Sequence, residues 1–346
     1  MRFRAPLVDD GYASEARGDA LLVYLPGFDG SNLAPFLQWP ALGDAGFDVR
    51  CGSVDPSDRS EFDELVATVT DYLRAEAKSR PIFLVGESFG GILATAAATR
   101  GARVDGLVLV NPATCYPRSA LAARGPGVAA LPSWLYPFGL LSLLPLFVDT
   151  HSARSLLEIV LSRRLPAVID EPRKEAYMGR VALSLASRIN AMPRDTLRWR
   201  LDRWLAAGSA AVDVGAIRTP TLVVYGDADA TLPSAQEAAT IAETLETNAV
   251  RVRTVSVPGA GHAATLGSRI DLRAAVAVFF GELDEFGFLA ADVARAMRAD
   301  AAGDPAGPLY GLFPRTYPPV GVQDYFSAAL DARAGAGRGG SAVGRF

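Results

Sequence analysis

The stretch "PIFLVGESFGGILATAAATR", residues 81–100, limits the folds open to this chain more than any other. An apolar run of strand type passes straight into a helix-type run rich in small residues, with only "GESFGG" between them. A turn that sharp needs glycine wherever a side chain would strike the neighbouring strand or helix, and Gly86, Gly90 and Gly91 stand there. Ser88 is then carried on the apex of the turn, with its hydroxyl above the end of the strand. A buried strand followed at once by a helix is the building unit of a parallel sheet covered on both faces.

The rest of the chain repeats that unit. Strands are expected at 20–25 ("ALLVYL"), 47–52 ("FDVRCG"), 81–86, 104–110 ("VDGLVLV"), 219–226 ("TPTLVVYG") and 250–257 ("VRVRTVSV"). Helices are expected at 61–77, where Phe62, Leu65, Val66, Val69, Tyr72 and Leu73 share one side, at 91–100, near 234–246 and near 269–281. Between 112 and 215 the strand signals stop and the sequence reads as helices and loops, including the Arg-rich "MPRDTLRWRLDRWL" at 192–205. The fold class is therefore α/β, a mostly parallel sheet with helices on both faces. Its core falls in two parts, 18–111 and 216–285, separated by a helical cap or lid insertion at 112–215. Residues 286–346 form a C-terminal extension, rich in Gly and Pro towards its end and expected to be partly disordered.

Composition removes several function classes. The net charge of −4 gives no electrostatic basis for nucleic-acid binding. Two cysteines, Cys51 and Cys115, make neither a disulfide framework nor a metal cluster, so no metal or other cofactor is expected and a reducing compartment is the simpler reading. The opening residues lack the apolar stretch of a secretory signal, and their four acidic residues argue against a transit peptide. "LPSWLYPFGLLSLLPLFV", 131–148, is free of charge, but three prolines interrupt it and disfavour one continuous spanning helix.

A serine nucleophile needs a base, and the chain has two histidines. His151 lies in the insertion and is read as structural. His262 lies in "PGAGHAATLG" after a strand, where it can reach the carboxyl ends of the sheet strands, the usual ligand side of such a sheet. The acid is expected between serine and histidine in chain order, and "GDADATLP" at 226–233 offers two candidates. Asp229 fits the G-x-x-D-x-x-x-P spacing of this loop, and Asp227 is the alternative or a turn-capping residue. The oxyanion donors would be the backbone N–H of Phe89, after the nucleophile, and that of Phe28, in the loop "LPGFDGS" at 25–31.

With these motifs in place the chain resembles the α/β-hydrolase fold. The set "LPGFDGSN", "VGESFGG", "GLVLVNPATCYPRS", "MPRDTLRWRL" and "GAGH" is more narrowly similar to the phytyl ester synthase family, plastid esterase/lipase/thioesterase-like proteins, over roughly residues 18–285. The resemblance implies acyl transfer to phytol or diacylglycerol from a lipid acyl donor, a plastid location, and Ser88, Asp229 and His262 as a hydrolase-type triad. Members of that family commonly carry a second, acyltransferase-like half marked by H-x-x-x-x-D. Neither histidine here begins that motif, since Leu156 and Gly267 stand at the aspartate position. If that half carries the transfer, this chain only hydrolyses.

The leading expectation is an acyl-ester hydrolase or acyltransferase working through an acyl-Ser88 intermediate, with a lipid acyl donor and an alcohol or water as acceptor. Trp134, Tyr136, Phe138, Leu140, Leu144 and Phe147 are expected to wall an acyl site in the insertion, and association of the protein with a lipid surface is expected. The competing classes are a general carboxylesterase or lipase without transfer, a peptidase on the same fold, and a non-catalytic ligand-binding relative. A cytoplasmic location is the alternative to the plastid.

Overall fold

In the computed structural model the described residues are 1–15, 18–36, 38–76, 80–149, 176–177, 179–181, 192–265 and 272–280. His151 and the extension at 286–346 lie outside them. The strands are β1 (Arg2–Arg4), β2 (Ala20–Leu25), β3 (Phe47–Ser53), β4 (Ile82–Glu87), β5 (Gly106–Val110), β6 (Thr221–Gly226) and β7 (Val252–Val257). They form one sheet in the order β1-β3-β2-β4-β5-β6-β7, parallel throughout except for β1. β1 falls outside the expected strands because three residues, two of them arginines, give no apolar run. Its place on the edge comes instead from Phe3, whose ring stacks on Tyr72 at 3.8 Å between centroids.

Alternation along the strands divides the core in two. Leu21, Val23 and Leu25 of β2 enter one cluster, while Leu22 and Tyr24 enter the other, and all five are buried. The first cluster is closed by the helices α3 (Phe62–Glu76), α4 (Phe89–Thr99) and α9 (Ser234–Thr247), through Leu65, Val69, Ile92, Leu93, Ile241 and Leu245. The second is closed by the short α1 (Pro6–Asp9) and α2 (Trp39–Asp44) and by α10 (Leu272–Phe280), through Leu7, Leu42, Val276 and Phe280. Burial of both faces explains why these strands read as unbroken apolar runs.

The segment between β5 and β6 contributes α5 (Ala120–Ala129), α6 (Tyr136–Phe147), α7 (Arg194–Trp199), a π-helical turn at Arg200–Ala206 and α8 (Ala207–Ala211). The charge-free run at 131–148 yields α6, with Pro137 in its first turn and Pro145 inside it. Among the described residues no helix is long and apolar enough to cross a membrane.

β2 has β3 on one side and β4 on the other, so chain order reverses there. The crevice beyond the carboxyl ends of β2 and β4 is the place where a sheet of this kind binds ligands. Leu84, in the middle of β4 and fully buried, tests the weight of this central strand. Leu84→Ala should lower stability by about 2–5 kcal/mol in urea unfolding, since the flanking strands limit collapse around the cavity.

Candidate active site

Ser88 follows β4 directly and holds a left-handed backbone, φ 56° and ψ −116°. That conformation is strained for a residue with a side chain. It is retained because both neighbours of the turn are fixed: the Ser88 N–H donates to Val110 O at 2.9 Å, and Ser88 O accepts from Ala113 N at 3.0 Å. The glycines give the room. A Cβ on Gly86 would lie 2.2 Å from Gly90 O, and one on Gly90 would lie 2.1 Å from Leu25 O. No side chain fits at such distances, so helix α4 starts at Phe89, two residues earlier than its apolar pattern indicates.

The structure brings Ser88, His262 and Asp229 together. His262 Nε2 stands 2.8 Å from Ser88 Oγ, and His262 Nδ1 stands 2.9 Å from Asp229 Oδ2. The Asp229 side chain is 1% exposed. Its Oδ1 accepts from the N–H groups of Thr231 at 2.8 Å and Leu232 at 3.1 Å, and its Oδ2 also accepts from the Ser234 hydroxyl. Burial alone would raise the carboxyl pKa, but attraction to His262 and the hydrogen bonds from His262, Ser234 and Leu232 outweigh it, and the net shift is downward. Asp227 faces elsewhere and accepts from Gly259 N at 2.6 Å. Of the two candidates, the structure therefore puts Asp229 on the histidine and Asp227 on a turn.

Asn111, absent from the sequence reading, fixes the histidine loop. It follows β5 directly, is fully buried and has φ 41°. Its Nδ2 donates to His262 O at 2.5 Å, and its Oδ1 accepts from Gly226 N at 2.9 Å. An amide at the end of the apolar run "GLVLV" was the available signal. Glu87 is also buried beside Ser88, and its Oε2 accepts from the hydroxyls of Tyr24 and Thr265, each at 2.7 Å. Burial pushes the Glu87 carboxyl up, against those two hydrogen bonds and the attraction of His262.

The expected oxyanion residues flank Ser88. Phe89 opens α4, so its N–H has no helical carbonyl one turn earlier to bond. Phe28 lies in the loop after β2, where a Cβ on the adjacent Gly27 would sit 3.7 Å from Ser88 Cβ. Its ring packs 5.4 Å from Phe147 of α6.

A cleft of about 1070 Å³ opens above Ser88 and His262 and is lined on the insertion side by Leu140, Leu143, Leu144, Phe147 and Val148. Three of the six residues expected to form the acyl wall, Leu140, Leu144 and Phe147, are there. Trp134, Tyr136 and Phe138 are not, which corrects the expectation from sequence. Tyr136 turns into the core and donates to Met192 O at 2.6 Å, whereas Trp134 and Phe138 are 73% and 68% exposed. Phe138 stands two residues before Leu140 on α6 and so points to a different side, Trp134 precedes the helix, and Tyr136, although one turn before Leu140, is held by its bond to Met192 O.

Asp229→Asn should lower kcat by about 10⁴ in ester hydrolysis, because the amide no longer fixes the imidazole tautomer. Asp227→Asn should stay within a few-fold of the wild type. Asn111→Ala strands the Gly226 N–H and frees the His262 loop, so it should cost about 2–4 kcal/mol in chemical unfolding and lower kcat as well.

Comparison with known proteins fits this geometry. The model of the family Hydrolase_4, described as serine aminopeptidase, S33, matches residues 56–266, more than half of the chain. Phytyl ester synthase 1, chloroplastic, of Arabidopsis thaliana is 34% identical over 242 residues, covering 66% of this chain and 33% of its own length. Phytyl ester synthase 2, chloroplastic, of the same plant is 31% identical over 228 residues, covering 62% and 32%. The chain thus spans about a third of the length of the curated relatives it matches. Among solved structures, MenH from S. aureus aligns over 84% of this chain and 98% of its own, at 17% identity and a TM-score of 0.49. The family match, together with the mostly parallel sheet and the serine turn after β4, places the chain in the Hydrolase_4 family of the α/β-hydrolase superfamily.

Proposed function

We propose that the protein is a serine-dependent acyl-ester hydrolase and acyltransferase that handles lipid acyl groups through an acyl-Ser88 intermediate. The observation that carries this reading is the unbroken relay Ser88–His262–Asp229 at the floor of a large cleft with an aliphatic wall. The similarity to two chloroplastic phytyl ester synthases supports a lipid substrate and a plastid location.

In acylation, Ser88 Oγ attacks the ester carbonyl while His262 Nε2 takes the hydroxyl proton. Charge develops on the former carbonyl oxygen, where the N–H groups of Phe28 and Phe89 stabilise it. Collapse of the tetrahedral intermediate breaks the bond to the leaving group, which receives the proton from His262. Asp229 stays ionised and stabilises the imidazolium formed in between. In deacylation, water or an alcohol attacks the acyl carbonyl and passes its proton to His262, and Ser88 is released as the hydroxyl.

Water has an advantage of about 55 M in bulk, which a positioned alcohol overcomes with effective molarities up to about 10⁵–10⁸ M. The insertion at 112–215 acts in this reading as the cap that supplies such positioning. A long branched alcohol such as phytol gains roughly 0.8 kcal/mol per CH₂ buried against Leu140, Leu143, Leu144 and Phe147. Phytol or diacylglycerol is thus the proposed acceptor, and short water-soluble alcohols are poor ones.

A fluorophosphonate probe should label the wild type at Ser88, and Ser88→Ala should lose both labelling and ester turnover by about 10⁴–10⁶-fold. Undiminished labelling of Ser88→Ala would exclude the nucleophile. Turnover of nitrophenyl esters should rise from acetyl to medium and long acyl chains. With a lipid acyl donor and phytol, phytyl ester should form beside free fatty acid. Free fatty acid alone at saturating phytol would leave a lipid esterase without transfer.

A further inference from the structure

The Arg-rich stretch at 192–205 has no part in the relay, yet two of its residues reach both sides of the oxyanion site. Arg200 is fully buried although it carries a guanidinium. Its Nη1 donates to Phe28 O at 2.9 Å, and its Nη2 donates to Asp55 O at 2.8 Å and Val54 O at 3.4 Å. One planar fork thus ties the loop after β2 to the loop after β3. Four residues on, Trp204 is fully buried as well. The Arg200 guanidinium lies over the Trp204 ring, 4.3 Å from its centroid, and that ring stacks on Phe89 at 5.0 Å and 12°. The indole N–H is fixed by Ser60 O at 2.8 Å. The segment that holds both residues is π-helical, Arg200–Ala206, a geometry that often marks functional positions.

We propose that Arg200 and Trp204 are positioning residues, a brace by which the insertion holds the Phe28 and Phe89 amides in place around the carbonyl oxygen that becomes charged. This rests on the reading of Ser88 as the nucleophile. Burying an arginine in full is costly unless its donors are met, and here both Nη groups are met by carbonyls of the two loops that shape the cleft, while Nε has no hydrogen-bond partner among the described residues. The guanidinium remains the charged form at neutral pH, since burial lowers its pKa only to about 10. The neighbouring turn leaves no slack: a Cβ on Gly30 would fall 2.9 Å from Arg200 Nη1. Neither residue touches the reacting atoms. Each sets the position of a backbone donor whose loss alone costs about 10²–10³ in kcat, and a displacement near 1 Å can cost about 10².

Arg200→Lys keeps a positive charge and loses the fork. It should lower kcat for a nitrophenyl ester by about 10- to 100-fold, counted per site titrated with fluorophosphonate, with KM within about threefold. The affinity for a long-chain trifluoromethyl ketone, whose adduct places an oxyanion in the same position, should fall by the same factor as kcat/KM. An ether analogue with no carbonyl should bind as tightly as to the wild type. A merely structural role would lower the titratable fraction or the melting temperature and leave per-site kcat and ketone affinity unchanged. Per-site kcat within twofold of wild type, or unchanged ketone affinity, overturns the brace. If Arg200→Lys fails to fold, Trp204→Phe is read on the same two scales with a threefold to tenfold effect, and unchanged ketone affinity there overturns it. Wild-type protein that the probe does not label at Ser88 removes the nucleophile reading and the brace with it. Labelled wild type with an indifferent Arg200→Lys removes the brace alone.

Discussion

Everything at the site hangs on one strained peptide turn. Ser88 sits at φ 56°, a conformation that costs on the order of 1–3 kcal/mol and survives only where its surroundings allow no other. β2 and β5 impose it, through backbone crowding at Gly90 and through the bonds of Ser88 to Val110 and Ala113. Those strands are held in turn by apolar burial on both sheet faces. A hydroxyl raised on such a turn cannot retreat into the chain, so a histidine on another loop can meet it at a fixed distance. Asn111, at the end of β5, sets that other loop, and the same strand end therefore governs both partners of the Ser88–His262 contact.

The insertion is joined to this core at both ends of the site. On the side of Asp229 and His262, Thr231 donates to Leu146 O, Ala263 N donates to Phe147 O at 3.1 Å, and Gly261 N donates to Asp149 Oδ2 at 3.2 Å. On the other side, Arg200 and Trp204 reach the β2 loop and the start of α4, and Arg59 reaches Thr196 at 2.9 Å. The contacts on one side carry α6 to the loops of Asp229 and His262, and those on the other reach the loops around Phe28 and Phe89. The cleft wall made by α6 is thereby referenced to the same strand ends as the relay.

Two carboxyl groups at the site, Asp229 on His262 and Glu87 beside Ser88, are driven in opposite directions. Asp229 receives two backbone N–H groups, a hydroxyl and the imidazole, which together hold it ionised despite burial. Glu87 Oε2 receives the hydroxyls of Tyr24 and Thr265, and burial prevails over them. The contrast follows from partner number and charge, the general means by which one site holds two acids in different states.

How much of this was legible in the sequence depends on the range of each signal. The elbow was legible because its cause is local: glycines at 86, 90 and 91 beside an apolar strand have few other uses. The strands from 20–25 to 250–257 were legible because burial on both faces demands continuous apolar runs, and each lies within two residues of its place. Loop spacing favours Asp229 over Asp227, which residue type alone does not, and the path of the loop in the tertiary structure sets Asp229 against an imidazole 33 residues later and Asp227 on a turn. β1, Asn111, Arg200 and the division of the charge-free segment between cleft, core and surface were not legible. Each depends on contacts between segments far apart in the chain, such as Arg200 to Phe28 across 172 residues. Sequence patterns record which face of an element is apolar. Which carbonyl a buried guanidinium meets is fixed by three-dimensional packing alone.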